Sequence, residues 1–186
     1  MVSALRIEPL QKLASNIQKQ ENIAALCSKC GLCCNGVLFG DVELTRADNE
    51  PDLRNLGLQM EKKGQKIAFV QPCSCLRGTL CKIYSNRPTN CRTFECRLLK
   101  QAHAGELSRL TALRAIRKAR ALARRVTTLL RKLEEHSEHL PLNRRYVKVL
   151  AEPIDLSGDP AIVKWRGELM KAVHDLSGLL AEKFLN

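Results

Sequence analysis

The sequence predicts a mainly α protein with a small, irregular α+β knob rich in cysteine and a helical C-terminal half. Three observations carry this expectation. All nine cysteines lie between Cys27 and Cys96. The same stretch holds most of the turn-forming residues and little long periodicity. Residues 101–186, by contrast, contain no cysteine and repeat their apolar side chains at helical spacing. A chain of 186 residues fits one domain, or a small domain with an extension, and a hydrophobic content of 45% can support a core.

The chain divides into three parts: an N-terminal helix within residues 1–26, a cysteine-cluster region over 27–100, and a basic helical extension over 101–186 packed on it. In the first part Leu10, Leu13, Ile17 and Ala24 stand at helical spacing among polar residues. In the second, Gly36 to Leu44 reads as a short strand. Thr45 followed by Asp48 resembles a helix N-cap with an acidic N3 residue, predicting a helix interrupted near Pro51 and running toward Lys63. Lys66 to Gln71 reads as a second strand with a hairpin partner.

In the third part, Ala115, Ala119, Leu122, Val126, Leu129, Leu130 and Leu133 cluster on one side of a helical wheel. Arg114, Arg117, Arg120, Arg124, Arg125, Arg131 and Lys132 occupy the other. Leu110 and Leu113 break the pattern, so the first turns are expected to pack differently. Glu134 to Pro153 predicts a turn followed by a short extended segment around Tyr146–Leu150. Asp159 then caps a last helix, with Pro160 at the first helical position, where its missing N–H costs nothing. Its apolar stripe is Ile162, Leu169, Val173, Leu176, Leu180 and Phe184.

The formal charge of +12 is concentrated. Between Arg97 and Lys132 there are eleven Lys or Arg residues and one acid, Glu106, a local excess of +10. Such a stretch suits an acidic macromolecule, nucleic acid or acidic protein, met by the basic helix 109–132. The plainer account is a solvated face on an amphipathic helix. Aromatic content of 4% argues against a stacking platform for single strands. No segment approaches the ~18 consecutive apolar residues of a membrane span. Arg6, Glu8 and Lys12 leave no apolar region for a secretory signal. The expected setting is therefore a reducing cytoplasm, where thiols stay reduced or bind metal.

The first chemical signal is Cys27-Ser-Lys-Cys30-Gly-Leu-Cys33-Cys34. Two residues between cysteines let both sulfurs converge on one ion, often with backbone N–H groups directed at the thiolates. Gly31 permits the positive φ that a tight knuckle requires. Cys33 and Cys34 are adjacent and their side chains tend to diverge, so one of them serves a different ion from its neighbours or bridges two sites. The second signal is Cys73-Ser-Cys75-Leu76, then Cys81-Lys-Ile-Tyr84, Arg87-Pro88 and Cys91-Arg92-Thr-Phe94-Glu-Cys96. Its looser spacing needs folding to assemble the ligands. Together they offer sulfur for two four-coordinate ions, or for a cluster plus a structural ion. Lys29, Lys82, Arg87, Arg92 and Arg97 interleave with the thiols, as charge compensation of thiolates would require. An odd number of cysteines and the vicinal pair count against a disulfide framework.

The CxxCGxCC element, followed by CxxL, CxIYxxRPxxC and RxF, resembles the YkgJ-like cysteine-cluster family of zinc- or iron-chelating domains. The matching residues are Cys27, Cys30, Gly31, Cys33 and Cys34, then Cys73, Leu76, Cys81, Ile83, Tyr84, Arg87, Pro88, Cys91, Arg92, Phe94 and Cys96. Cys75 is an addition to the family pattern. The resemblance implies an iron–sulfur cluster or zinc, and the eight matching cysteines are the expected ligands. Some relatives, the flagellin lysine N-methylases, join the motif to an enzyme, so an iron–sulfur enzyme acting on a protein substrate is the alternative to a metal-binding module. The chain shows no nucleotide-binding loop, paired carboxylates or Ser/His/Asp arrangement. Around the thiols, Arg87 and Arg92 are expected to serve backbone carbonyls and thiolate charge, with Pro88 fixing a turn. His136 and His139 lack a third ligand and read as residues of an exposed turn.

Overall fold

A computed structural model describes residues 25–155 and 159–185. Most of the N-terminal helix expected within residues 1–26 lies outside these; residues 25–30 are helical and form α1. The chain then builds a thin sheet layer and a helical layer, with the cysteine loops between them.

The sheet layer consists of β1 (Asp41–Glu43), α2 (Glu50–Asn55), β2 (Met60–Lys63) and β3 (Lys66–Val70). β3 is central and antiparallel to both neighbours, with Val42 opposite Phe69 and Lys62 opposite Ile67. The strand expected over Gly36–Leu44 is thus paired only over its last residues. The helix expected from Thr45 toward Lys63 is corrected. Asp48 does reach back to the Thr45 N–H, but the chain turns there, and helix begins only at Glu50. Asn49 caps it and Pro51 occupies its first turn. It ends before Gly57, whose φ of +93° a helix cannot continue, and residues 60–63 pair as the hairpin partner of β3. Leu53, Leu58, Phe69 and Cys75 form the small core of this layer.

A two-residue hairpin, β4 (Leu76–Arg77) with β5 (Leu80–Cys81), leads through a 3₁₀ turn at Tyr84–Asn86 into α3 (Thr89–Thr93) and α4 (Arg97–Ala104). The helical layer is α5 (Arg109–Lys132), α6 (Leu142–Ala151) and α7 (Pro160–Lys183). Ser108 caps α5 by accepting from the Thr111 N–H, and Asp159 caps α7 by accepting from the Ala161 N–H at 2.8 Å. On α5 the buried line is Ala112, Ile116, Ala119, Ala123, Val126, Leu129 and Leu130. Ala115, Leu122 and Leu133 lie at its half-buried margins, and Leu110 faces solvent. The line packs on Leu169, Ala172, Leu176 and Leu180 of α7, where buried alanines let the two axes approach. Ile162, expected in the α7 stripe, is exposed; Arg166 is buried nearby, its guanidinium donating to the Glu152 carbonyl.

The extended segment expected around Tyr146–Leu150 is corrected to α6. Leu142, Arg145 and Val149 give it one buried face at helical spacing, with Pro141 before its first residue. Arg145 is the unexpected member of that face: its Nε donates to Glu135 Oε2 at 2.6 Å in a fully buried ion pair. Among the described residues no helix is long and apolar enough to cross a membrane.

Candidate metal centre

The CxxC knuckle forms where α1 stops. Gly31 adopts φ +71°, allowing Cys34 N–H and Asn35 N–H to turn back onto its carbonyl at 3.0 and 2.9 Å. This reversal folds Cys33 and Cys34 under Cys27 and Cys30. The β4–β5 turn covers it, with Thr79 against Gly31. A second reversal at Gly36, φ +75°, sets its α-carbon close to Pro141, and the Gly36 carbonyl accepts from Leu142 N–H. The helical layer therefore holds the cysteine loop directly.

The looser cysteines are placed by separate elements. Cys73 follows β3 and donates its N–H to the Cys34 carbonyl at 2.7 Å. Cys81 closes β5, Cys91 sits within α3, and Cys96 precedes α4. Asp48 locks α3 to the sheet: one carboxylate oxygen accepts from Thr89 N–H and Oγ1, the other from Thr45 N–H and Oγ1. Asn90 adds a bond to the Glu43 carbonyl. At the far end, Arg97 N–H donates to the Phe184 carbonyl and its guanidinium to Glu182, tying Cys96 to the end of α7.

Cys27, Cys30, Cys33, Cys34, Cys73, Cys81, Cys91 and Cys96 all line a single cavity of about 930 Å³ between the two layers. Phe39 and Phe94 meet edge to face at 5.0 Å in its wall. Cys75 is not in the lining. It is 4% exposed among Leu53, Leu58 and Phe69, and its Sγ donates to the Leu56 carbonyl at 3.3 Å. All nine cysteines are free thiols.

Burial raises the thiol pKa values, and the thiols raise one another. Loss of hydration carries Cys30 from an ordinary 9.0 to about 12, with Cys96 and Cys27 adding repulsion. Cys73 and Cys91 also rise to about 12, through burial first and then through neighbouring thiols. Cys27, at the exposed rim, rises to about 11, through lost hydration and then Cys96. Cys33, Cys34 and Cys96 move in the same direction, again chiefly through burial. These thiols are neutral near pH 7. Opposing forces favour the thiolate: the Leu32 N–H at Cys30, the Cys75 N–H at Cys73, and the Leu99 and Leu98 N–H groups at the start of α4 for Cys96.

Two cations act on the thiols. Arg87 stacks over the Tyr84 ring at 3.7 Å, donates to the Tyr84 and Cys91 carbonyls, and favours the thiolates of Cys27, Cys34 and Cys91. Arg120 of α5 donates to the Lys29 carbonyl at 2.9 Å and favours the Cys30 thiolate. Arg87 was legible in the motif. Arg120 was read only as part of the basic face, and nothing in the sequence connects it to Lys29. Arg92 bonds the Thr89 hydroxyl rather than a carbonyl. Gln71, also in the lining, has a buried side-chain oxygen with no hydrogen-bond partner among the described residues.

The donor chemistry fits a thiophilic ion: eight sulfurs line one cavity, with the Arg87 guanidinium in its wall and backbone N–H groups at Cys30, Cys73 and Cys96. Among the described residues no three Cys, His, Asp or Glu side chains stand close enough together to hold an ion. His136 instead lies 3.2 Å from Glu134, in an exposed turn.

Residues 26–113 match the family model CxxCxxCC, described as "Putative zinc- or iron-chelating domain". This segment is therefore similar to that domain. It takes in all nine cysteines, α4 and the start of α5, and it leaves most of the helical layer outside the family match. No curated protein and no solved structure gives a significant match.

Proposed function

We propose that the CxxCxxCC-like segment chelates iron, held as an iron–sulfur cluster, or zinc, through Cys27, Cys30, Cys33, Cys34, Cys73, Cys81, Cys91 and Cys96. The observation that carries this is that they line one cavity from five separate pieces of chain, with Cys75 turned away. Thiols that face one cavity, most of them with pKa values raised by lost hydration, have little to gain from water and much from a metal that replaces their protons. When bound, zinc supplies a fixed tetrahedral brace, whereas a cluster supplies electron transfer.

The test is anaerobic purification, elemental analysis for zinc, iron and acid-labile sulfide, and a visible spectrum. Iron with sulfide and absorption near about 400 nm supports the cluster; colourless stoichiometric zinc supports the brace. Protein that holds neither, and takes up neither after thiol reduction, would overturn the proposal.

A second reading concerns α5. Arg114, Arg117, Arg124 and Arg125 are exposed and have no ion pair or side-chain hydrogen bond among the described residues. A single-signed ridge of guanidinium groups suits the phosphates of a nucleic acid. Neutralising four phosphates of a duplex gives a log–log salt slope of about −3.6. Binding to duplex or single-stranded probes that is absent, or insensitive to salt, would leave the ridge as a solvated face.

A further inference from the structure

We infer that the eight thiols form two four-sulfur sites, Cys27, Cys30, Cys33 and Cys96 in one and Cys34, Cys73, Cys81 and Cys91 in the other, divided at the vicinal Cys33–Cys34 pair. The inference rests on the metal-chelating reading above and extends it to the number of sites and their ligands.

Three independent features make the division. The first is packing. Cys30 and Cys96 pack against the helical core, whereas Cys73 and Cys91 pack against the small core of Leu53, Leu58 and Phe69. The second is anchoring. The first set is held by helical-layer contacts, through Arg120 to the Lys29 carbonyl and through Arg97 to the end of α7. The second is held by the sheet layer, through Cys73 N–H to the Cys34 carbonyl and through Asp48 to the start of α3. The third is register. Leu76 lies opposite Cys81 in the β4–β5 pair, and Lys82 N–H donates to the Cys75 carbonyl at 2.9 Å, so Cys81 stands with the loop that carries Cys73.

The vicinal pair is where such a division has to fall. Consecutive Cβ bonds leave the chain in different directions, so one tetrahedral ion does not readily take both sulfurs. Two sites on opposite sides of that peptide use both without strain. Each set then closes on its own ion, four thiols releasing up to four protons to solvent as four metal–sulfur bonds form. A single ion braces the knuckle to α4, and the other braces the sheet layer to the β4–β5 hairpin and α3.

The experiment uses the full chain, reduced, stripped of metal and titrated anaerobically with cobalt(II), a spectroscopic stand-in for tetrahedral zinc or iron. The expected result is two cobalt ions per chain with thiolate charge-transfer absorption. Cys30→Ser and Cys96→Ser should each lower the stoichiometry to one, as should Cys81→Ser and Cys91→Ser. Cys30→Ser with Cys81→Ser should abolish binding, and Cys75→Ser should leave two. A measurement on the unsubstituted protein guards against variants that fail to fold. With one equivalent bound, alkylation and peptide mass spectrometry should show one complete set of four protected together. One cobalt per chain, loss of both ions from any single substitution, or protection mixed across the sets would overturn the division while leaving chelation intact. No cobalt bound at all would instead remove the chelating reading on which it rests.

Discussion

Cys75 differs from the other eight cysteines in what its sulfur touches. A carbonyl at 3.3 Å and a ring of apolar side chains make it a small core residue with a weak donor. Sequence spacing could not separate it from Cys73, two residues away on the same loop. The departure from the family pattern was a hint, and burial in the small core sets Cys75 outside the cavity. Asp48 is a second residue whose role needed the fold. Its four hydrogen bonds join the turn after β1 to α3, so Asp48→Ala should cost about 1–3 kcal/mol in urea unfolding of the metal-loaded protein. Its partial burial would raise its pKa, but the four donors outweigh that and hold it below its ordinary 3.8. The folded state therefore binds this proton less readily than the unfolded chain. The contribution is present above about pH 4 and lost as pH falls through the lowered folded value. A stability gap between wild type and Asp48→Ala that stays constant down to about pH 2 would contradict this. The Glu135–Arg145 pair is costlier to break, because each partner is about 5% exposed or less. Arg145→Met alone leaves a carboxylate buried without its cation and should cost about 3 kcal/mol or more, with metal content unchanged. Pairing it with Glu135→Leu should recover most of that loss.

Elements show where pattern reading succeeds and where it fails. The cap at Asp159, the bounds of the basic helix and the strand over β3 follow from local chemistry that a short window contains. The misread elements, α2, β2 and α6, are short, and their local signals pointed elsewhere. Val147, Val149 and Leu150 around Lys148 look like strand alternation, but the Glu135 partner for Arg145 makes the helical face the buried one. The Thr45–Asp48 pair has the side-chain geometry of a capping box without the helix, because Asp48 spends its other oxygen on Thr89. Glycines separate two kinds of element. Gly31→Ala meets only ordinary contact with Thr79, so its cost is the left-handed backbone, about 1 kcal/mol. It should weaken competition for zinc against a chromophoric chelator. Gly167 stands in the middle of α7 with open space around it, and Gly167→Ala should stabilise the protein by about 1 kcal/mol without altering metal content. Equal effects of the two substitutions on metal binding would show that the knuckle's conformation does not matter.

At the scale of the molecule, one layer has its own apolar core and the other is thin. The helical layer buries an unbroken line from Ala112 to Leu130 against α7, whereas the sheet layer buries only a handful of side chains. Metal removal by a chelator should therefore loosen the cysteine region first. Hydrogen exchange should rise sharply in residues 27–96, while amides of α5 and α7 stay protected. Cooperative melting at an unchanged temperature without metal would argue against that. The raised thiol pKa values set opposite pH trends for the two forms. In the loaded protein, metal competes with protons, so each coordinating thiol weakens apparent affinity about tenfold per unit of acidification. In the metal-free protein, the folded state keeps its thiol protons after the unfolded chain loses them near 9.0, so stability falls as pH rises toward about 11 to 12.

The sequence by itself determined the mainly α class, the cysteine-rich knob, the basic helix over 109–132, the eight candidate thiols and the glycine on which their knuckle turns. Those are properties of spacing and local chemistry, readable within a turn or two of chain. Only the tertiary structure decided that Cys75 lies outside the cavity, that Gln71 lines it, and that Arg120 reaches the Lys29 carbonyl beside it. Each of those depends on contacts between segments far apart in sequence, such as Lys29 with Arg120 or Asp48 with Thr89, and these form only once two layers have folded against each other.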